Sequence, residues 1–556
     1  MNNHIRKSLF VVIFAVFTGF VTHTAIEKSP TWDEVGYFGL GTFLLKTWQW
    51  DVPAAGSHPP LAYFVHGLPM LLFHPFPIDG ELWNSSPHLA NDISFLRSAD
   101  LHRGNTLLLD KSLGERWFVI SRLSSLLLAL PLFVCLAVWS HQIAGSRWPI
   151  AVGLAALSPN LVAHSSLITT DLAITANFFI ATFCLQHLLQ KPSWPRLLLA
   201  GCSMGLMLLS KLSALLFFPA SGLATAWYLT NKPQSMQALT YMIKLRGWMG
   251  VSVIAFITLT IACTVLWVGY GFKLEPYLVV LRSQLWDLQS GHLSYLMGEI
   301  SNEGWWYYFL LAIVIKTPLP VMLLAGAGLF SIARRNRHSQ ENFTFIVLPP
   351  VLFTVAFVIT GGTKNIGLRY LLPIYPFLFL WAAAAFDSRC TDTKSHPRWS
   401  NSLIGLLMAW MLFSTLNIHP HHLAYFNEIV GGPKNGHQYL VDSNLDWGQD
   451  LKGLKTYCDA RGIETIKLSY FGSVDPAVYE LNYEWLPSYH LPTQGKTHVD
   501  LPTFGTIAIS ITNLVGVYMG AFGQGTDLFD WLNQYKPVAH IGHSILIFDI
   551  PRTAYE

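Results

Sequence analysis

Apolar stretches long enough to cross a hydrocarbon core of roughly 30 Å recur along most of the chain, separated by short polar connections. About eleven are read from this pattern, beginning near Leu9, Arg116, Trp148, Thr170, Pro195, Leu212, Gly247, Trp305, Phe343, Leu368 and Leu403. Lys211 separates the fifth from the sixth as the tip of a hairpin. Beyond Asn417 the pattern changes: charged residues return and short β-branched runs replace long apolar ones. Strands are expected over His437 to Val441, Thr465 to Tyr470, Thr506 to Ile511 and His543 to Phe548, with a helix from about Trp447 to Ala460. The chain therefore divides into a membrane part, residues 1–416, and a soluble α/β tail, residues 417–556.

Basic residues give this map a direction, because Lys and Arg near span ends are retained on the cytoplasmic side. Arg6 and Lys7 precede the first span; Arg147, then Lys191 and Arg196, then Lys232, Lys244 and Arg246 fall in connections on that same side. Arg334, Arg335 and Arg337, and later Arg389, Lys394 and Arg398, follow the same rule. The expected topology places the N-terminus inside, the tail outside and the first loop, about residues 27–115, outside. The run Leu9 to Val21 behind Arg6 and Lys7 has a rival reading as a secretory signal peptide, though Thr22 to Glu27 offers no small-x-small cleavage site.

Composition narrows the function. Only 12% of residues are charged, against roughly a quarter in a soluble domain, and 52% are hydrophobic with a mean hydropathy of +0.39. A net charge of +3 over 556 residues gives no basic field for nucleic acid. Of the six cysteines, Cys135, Cys184, Cys202 and Cys263 sit in or beside spans, Cys390 lies on the inside and Cys458 is alone in the tail, so no disulfide framework is expected outside.

The sparse charges at the outer face are the candidates for chemistry. Asp33 and Glu34 follow the first span directly; they are either the start of a solvated loop or a carboxylate placed to accept a proton from an acceptor hydroxyl. His58, before Pro59 and Pro60, could bind a phosphate or cap a re-entrant helix. Asp171, in Thr169-Thr170-Asp171, is a helix cap or a second site acid on the side of Asp33. Arg122, Lys211, Lys316, Lys364 and Arg369 lie where a membrane protein normally excludes cations, and either snorkel or hold a lipid phosphate. Asp442, Asn444, Asp446 and Asp450 are spaced closely enough to raise Ca²⁺ binding, but lack the Gly and terminal Glu of an EF-hand. His419, His421 and His422 are a second such cluster, equally readable as an interfacial linker. No metal site is assigned, no cofactor is certain, and a divalent metal is left open.

Acids and cations at one face fit transfer of a group from a lipid-linked phosphate. They also fit a transporter or flippase of lipid-linked saccharides, which would carry inverted repeats and midplane polar groups; no such repeat is visible. A membrane sensor would leave the first-loop charges without a role.

An ordered series of motifs adds a resemblance. Asp33-Glu34, His58-Pro59-Pro60-Leu61, Ser121-Arg122-Leu123, Thr170-Asp171, Trp306-Tyr307-Tyr308 with Lys316-Thr317-Pro318, and Arg369-Tyr370-Leu371-Leu372-Pro373 run through the membrane part. Tyr425-Phe426-Asn427-Glu428, Gly431 to Lys434 and Val441 to Asp450 continue it into the tail. Together they resemble a bacterial branch of the family 39-type glycosyltransferases of the GT-C fold, the group that contains the protein O-mannosyltransferases. The resemblance implies transfer of a hexose-type, mannose-like sugar from a polyprenyl-phosphate donor to a protein, glycan or glycolipid acceptor, at the outer face of a bacterial-type inner or plasma membrane, with inversion. It implies Asp33 as catalytic base, Glu34 as its support or an acceptor contact, and Asp171 as a second acid lining the cavity. His58 takes the place of a phosphate-binding Lys in the related aminoarabinose transferases, and Arg122 and Arg369 correspond to positions near the donor or the acids. Lys211, Lys316 and Lys364 join the phosphate-binding set on charge and position alone. The tail departs from the β-trefoil of eukaryotic protein mannosyltransferases, which weakens the case for a protein acceptor.

Overall fold

The computed structural model describes residues 3–74, 83, 93–230, 237–334, 344–360, 364–385, 398–488, 497–522 and 525–552. Of the basic connections, Lys232, Arg335, Arg337, Arg389 and Lys394 lie outside the described residues, as do Cys390 and Phe343.

The membrane part is helical. Among the described residues, six helices are long and apolar enough to cross a bilayer: His4–Glu27, Gly114–Ala156, Asp171–Gln190, Leu212–Leu229, Met249–Gly269 and Ser400–Ile418. Tyr308–Lys316 and Leu319–Ala333 form a further span only as a pair, bent by 109°. Leu61–Phe73, Trp194–Leu208, Thr344–Thr360 and Leu368–Ala383 are apolar but shorter. Every stretch read from the hydropathy pattern holds helix, yet six helices rather than eleven meet the length of a full crossing. The breaks have local causes. Pro318 and Pro320 cannot continue the helix through Lys316, and the stretches begun at Arg116 and Trp148 form one apolar run interrupted only by short breaks such as the turn Gly145–Arg147.

The bend at Pro318 exposes carbonyls that the helix no longer pairs, and the tail pairs them. Asn427 donates its side-chain amide to Val314 O (2.6 Å) and Thr317 O (2.9 Å), and its main-chain N–H to Ile315 O (2.9 Å). The first loop forms helices of its own, among them Trp32–Tyr37, Leu40–Thr47, Leu61–Phe73 and Ile93–Leu109. Two of these approach to backbone contact through glycine: a Cβ at Gly41 would lie 1.6 Å from Tyr63 O, and one at Gly67 would lie 2.4 Å from Thr42 N.

A hairpin pairs β1 (Ser294–Leu296) with β2 (Glu299–Ser301). The tail carries a five-stranded sheet of β3 (Ile466–Ser469), β4 (Tyr483–Trp485), β5 (Gly505–Ser510), β6 (Ala539–Ile541) and β7 (Ile545–Ile550), in the order β4-β3-β5-β7-β6. β3 is parallel to β4 and β5, and β7 is antiparallel to β5 and β6. Alternation along the strands sends Ala508, Ile545 and Ile547 into a cluster with the helix Leu451–Arg461 and the first-loop residues Val35 and Phe38. Ile507, Ile509, Leu546 and Phe548 enter the main helical core instead. The expected strand over His437 to Val441 is not one: Gly436 O accepts from both Tyr439 N–H and Leu440 N–H, closing a 3₁₀ turn over Pro433–Gln438. β4 and β6 were too short, at three residues each, to announce themselves in the pattern.

Because main-chain atoms of Tyr63 cannot yield to a methyl group, Gly41→Ala is expected to destabilise by about 1–3 kcal/mol or more. Gly19→Ala, in mid-helix where nothing lies within 4 Å, is the control and is expected to be neutral or stabilising by up to about 1 kcal/mol. Thermal unfolding of the two purified variants in detergent measures the difference.

Candidate active site

Asp33, His58, Lys211, Lys364 and Arg369 come together on the wall of one cavity of about 720 Å³. They arrive from separate elements. Asp33 is in the first turn of Trp32–Tyr37, His58 precedes Leu61–Phe73, Lys211 stands at the break before Leu212–Leu216, and Arg369 lies in the 3₁₀ segment Leu368–Ile374. Lys364 pairs with Asp287 of the helix Glu275–Ser290.

An alternating line of charge organises this wall. Arg369 Nη1 is 2.8 Å from Asp33 Oδ2 and 3.8 Å from Asp171 Oδ2, while Lys211 Nζ is 2.7 Å from Asp171 Oδ1. Buried charges of this kind persist only when paired, and each here has an opposite partner. Aromatic faces hold the cations in place: Arg369 lies 4.2 Å from the ring centre of Trp447, and Lys211 lies 4.5 Å from that of Tyr370. Asp171 does not line the cavity as the resemblance implied. It is fully buried behind Lys211 and Arg369, where its carboxylate fixes the two cations that do.

Glu34 and Arg122 are placed elsewhere again. Both are 0% exposed, against 21% for the Asp33 side chain. Arg122 donates Nε to Glu34 Oε1 (2.8 Å) and Nη2 to Oε2 (2.6 Å), and spends its remaining donors on the carbonyls of Ala25 (3.0 Å), Lys28 (2.6 Å) and Ser29 (2.9 Å). Glu34 also accepts from the N–H groups of Thr31 and Ile168, each at 2.8 Å. The first of these is the reach of an N3 residue back to its N-cap. Neither residue lines the cavity, so an acceptor contact for Glu34 and a phosphate contact for Arg122 do not fit this geometry. Lys316 is likewise outside the cavity: its ammonium is buried against the carbonyls of Leu423 and Asn444 and the ring of Phe426, tying the bent helix to the tail.

Burial, followed by the positive charge of Lys211, pushes the His58 imidazole down to about 3, so it meets the cavity as a neutral ring. Its Nδ1 is buried with no hydrogen-bond partner among the described residues. Burial alone would pull the Lys364 ammonium down, but Tyr370 and Asp287 outweigh it and hold its pKa above the ordinary lysine value. Sequence reasoning missed Tyr37, Asp287, His292, Phe471 and Tyr518 in the cavity wall, and gave Trp447 no role. Trp447 and Tyr370 stood inside quoted motifs; the others carried no local signal.

The tail acids do not converge. Asp442 accepts from Tyr518, Asp446 from the N–H of Thr512 (2.9 Å), and Asp450 pairs with Lys28 and accepts from Ser544 (2.6 Å). Asn444 donates to Tyr308 (2.9 Å), and His419 is hydrogen-bonded to His422 (2.9 Å). Among the described residues no group of three or more His, Cys, Asp or Glu is placed to hold a metal.

Residues 109–271, which include Arg122, Asp171 and Lys211, match the family described as dolichyl-phosphate-mannose-protein mannosyltransferase. By that match the chain is a glycosyltransferase. Among solved structures it is similar to ArnT from Cupriavidus metallidurans bound to undecaprenyl phosphate, at 14% identity over 97% of both chains with a TM-score of 0.48. The apo state of the same protein aligns at 13% identity, again over 97% of both chains, with a TM-score of 0.46. No curated protein sequence matches.

Two outcomes follow from the geometry. Arg122→Met strands Glu34 without its partner and is expected to cost about 3–5 kcal/mol of stability, read as a lower melting temperature of the purified protein. For His58, the folded state resists protonation below the ordinary value of 6.5 while the unfolded chain does not. Stability is therefore lost as pH falls from 6.5 toward about 3. His58→Gln is expected to lessen the drop in melting temperature between neutral and acidic pH.

Proposed function

We propose that the chain is an integral membrane enzyme that moves a hexose-type sugar, mannose-like, from a polyprenyl-phosphate donor to an acceptor hydroxyl, with inversion. The acceptor is a protein, glycan or glycolipid. The observation that carries this reading is the division of labour in one cavity, where the Asp33 carboxylate and the cations Lys211, Lys364 and Arg369 share a wall.

In this reading Arg369 fixes one oxygen of Asp33, which orients the carboxylate toward the incoming hydroxyl. The hydroxyl oxygen bonds to the anomeric carbon as the bond from that carbon to the phosphate oxygen breaks. The hydroxyl proton passes to Asp33, and the phosphate leaves with the bonding pair. Lys211 and Lys364 stabilise the charge that grows on it, and neutral His58 contributes a hydrogen bond rather than a charge. Asp171 acts through Lys211 and Arg369 by holding both in position. Single displacement at the anomeric carbon gives inversion.

The proposed arrangement in the membrane follows the basic residues: N-terminus inside, cavity and tail outside, with residues 1–416 forming the membrane unit and 417–556 the extracytoplasmic one. Support comes from the positions of Asp33, His58 and Lys364, all in connections assigned to that outer side.

The test is Asp33→Asn in membranes supplied with labelled polyprenyl-phosphate sugars. Transfer is expected to fall by about 10²–10⁴-fold while the protein elutes as a folded species in size exclusion. Unchanged turnover removes Asp33 as the base.

A further inference from the structure

Asp171 holds two cations of the cavity wall, yet only one of its own oxygens is fixed. Oδ1 accepts from Lys211 at 2.7 Å, whereas Oδ2 is buried with no hydrogen-bond partner among the described residues. Two nitrogens stand 3.8 Å from that oxygen: Nη1 of Arg369, already committed to Asp33 at 2.8 Å, and Nδ1 of His164. His164 Nδ1 is likewise buried without a partner among the described residues, and the whole residue is 4% exposed. It does not line the cavity but reaches Asp171 from within the protein, out of the helix Pro159–Ser165. That helix is pinned at its start. Ser158 caps it by accepting from Leu161 N–H, and Asn160 donates to Lys316 O (2.7 Å) and to the Tyr375 hydroxyl (2.9 Å). A fixed backbone thus delivers the imidazole to the one carboxylate oxygen of Asp171 that lacks a donor.

We propose that His164 is a positioning residue for the transfer reaction: with its proton on Nδ1 it donates to Asp171 Oδ2, directly or through one water, and fixes the plane of that carboxylate. A separation of 3.8 Å is too long for a hydrogen bond; a small rotation of the ring closes it, or a water seated beside both atoms bridges it. Held through Oδ1 alone, a carboxylate swivels easily about its Cβ–Cγ bond, because that torsion has a broad minimum. Held through both oxygens it keeps one orientation, and Lys211 and Arg369 keep one spacing. Asp33 depends on that spacing, since Arg369 fixes its Oδ2. Influence therefore runs from His164 through Asp171 and Arg369 to the proposed base, and His164 touches no substrate. Were His164 only a core residue, two buried polar atoms would face each other unused, which protein interiors seldom allow. The role assigned to His164 rests on the glycosyltransferase reading and adds to it a residue that no contact with the cavity reveals.

The experiment uses the full chain in lipid nanodiscs and follows two readouts: binding of a bare polyprenyl monophosphate, and transfer of labelled sugar from its polyprenyl phosphate with kcat and donor KM separated. His164→Leu removes the donor at little change in volume and is expected to lower kcat about tenfold, the loss of one hydrogen bond to a charged group. Donor KM and binding of the bare lipid phosphate should stay within about twofold, because the cations themselves remain. His164→Asn places an amide N–H where Nδ1–H stood and is expected to restore kcat to within about threefold of wild type. Made in an Asp171→Asn background, His164→Leu should cost nothing further, since the carboxylate it served is gone. Should the leucine variant not fold, His164→Ala takes its place in both backgrounds. Three results each overturn the role of His164 while leaving the proposed function standing: wild-type kcat in the apolar variant, equal losses in the apolar and asparagine variants, or a further loss of the same size in the Asp171→Asn background. A wild type that neither binds the bare lipid phosphate nor transfers sugar overturns the proposed function, and the role of His164 with it.

Discussion

A guanidinium taken out of water must have nearly all of its donors satisfied, and the way Arg122 meets that demand sets the geometry of everything around it. Three of its partners are carbonyls from Ala25 to Ser29, where the first helix ends and would otherwise leave acceptors unpaired. The other is Glu34. Arg122 thus closes the first helix and anchors the start of the next one in a single interaction. Consecutive residues on a helix point about 100° apart, so once Glu34 faces Arg122, Asp33 must turn to another side. That side is the cavity. The placement of the acid proposed as base is therefore a consequence of where its neighbour is held.

The same logic runs through the second buried network. Asp171 never reaches the cavity, yet Lys211 and Arg369 could not both be held at the wall without an anion behind them. Lys316 shows the opposite case: an ammonium buried in a helical membrane protein, with the tail carbonyls of Leu423 and Asn444 as its partners. The cost of an unpaired charge decides which cations face the cavity and which serve the fold.

How far this could be read from the chain depends on the range of the interactions involved. Hydropathy located the long apolar helices because each is a local property, but not the shorter ones such as Trp32–Tyr37, Ile93–Leu109 and Glu275–Ser290. The first-loop motifs also drew attention to Asp33 and His58, and both line the cavity. The adjacency of Asp33 and Glu34 was misleading, however: a shared position in sequence suggested a shared task, and helix geometry splits them. Phe471 and Tyr518 carried no usable signal, and Trp447 stood in a motif that gave it no role, because each acquires meaning only opposite a partner such as Arg369 or Trp32 from far along the chain. The expected strand at His437 to Val441 failed for a different reason. Its apolar end, Tyr439 to Val441, is real, but the N–H groups of Tyr439 and Leu440 are turned back onto Gly436 O and leave no extended backbone to pair.

The main chain of the tail is joined to the first loop at two points: Trp32 N–H donates to Trp447 O (2.9 Å) and Ser29 N–H to Gln449 O (3.0 Å). These contacts span more than four hundred residues of sequence and bring Trp447 over Arg369. Contacts of such separation form late, because the intervening chain must first be ordered. During synthesis, the loop bearing Asp33 emerges long before the segment that completes its surroundings. The order of assembly thus imposes a delay: a nascent or truncated chain can insert its helices while its cavity is still unfinished, and the site closes only when the last quarter of the protein has folded back onto the first.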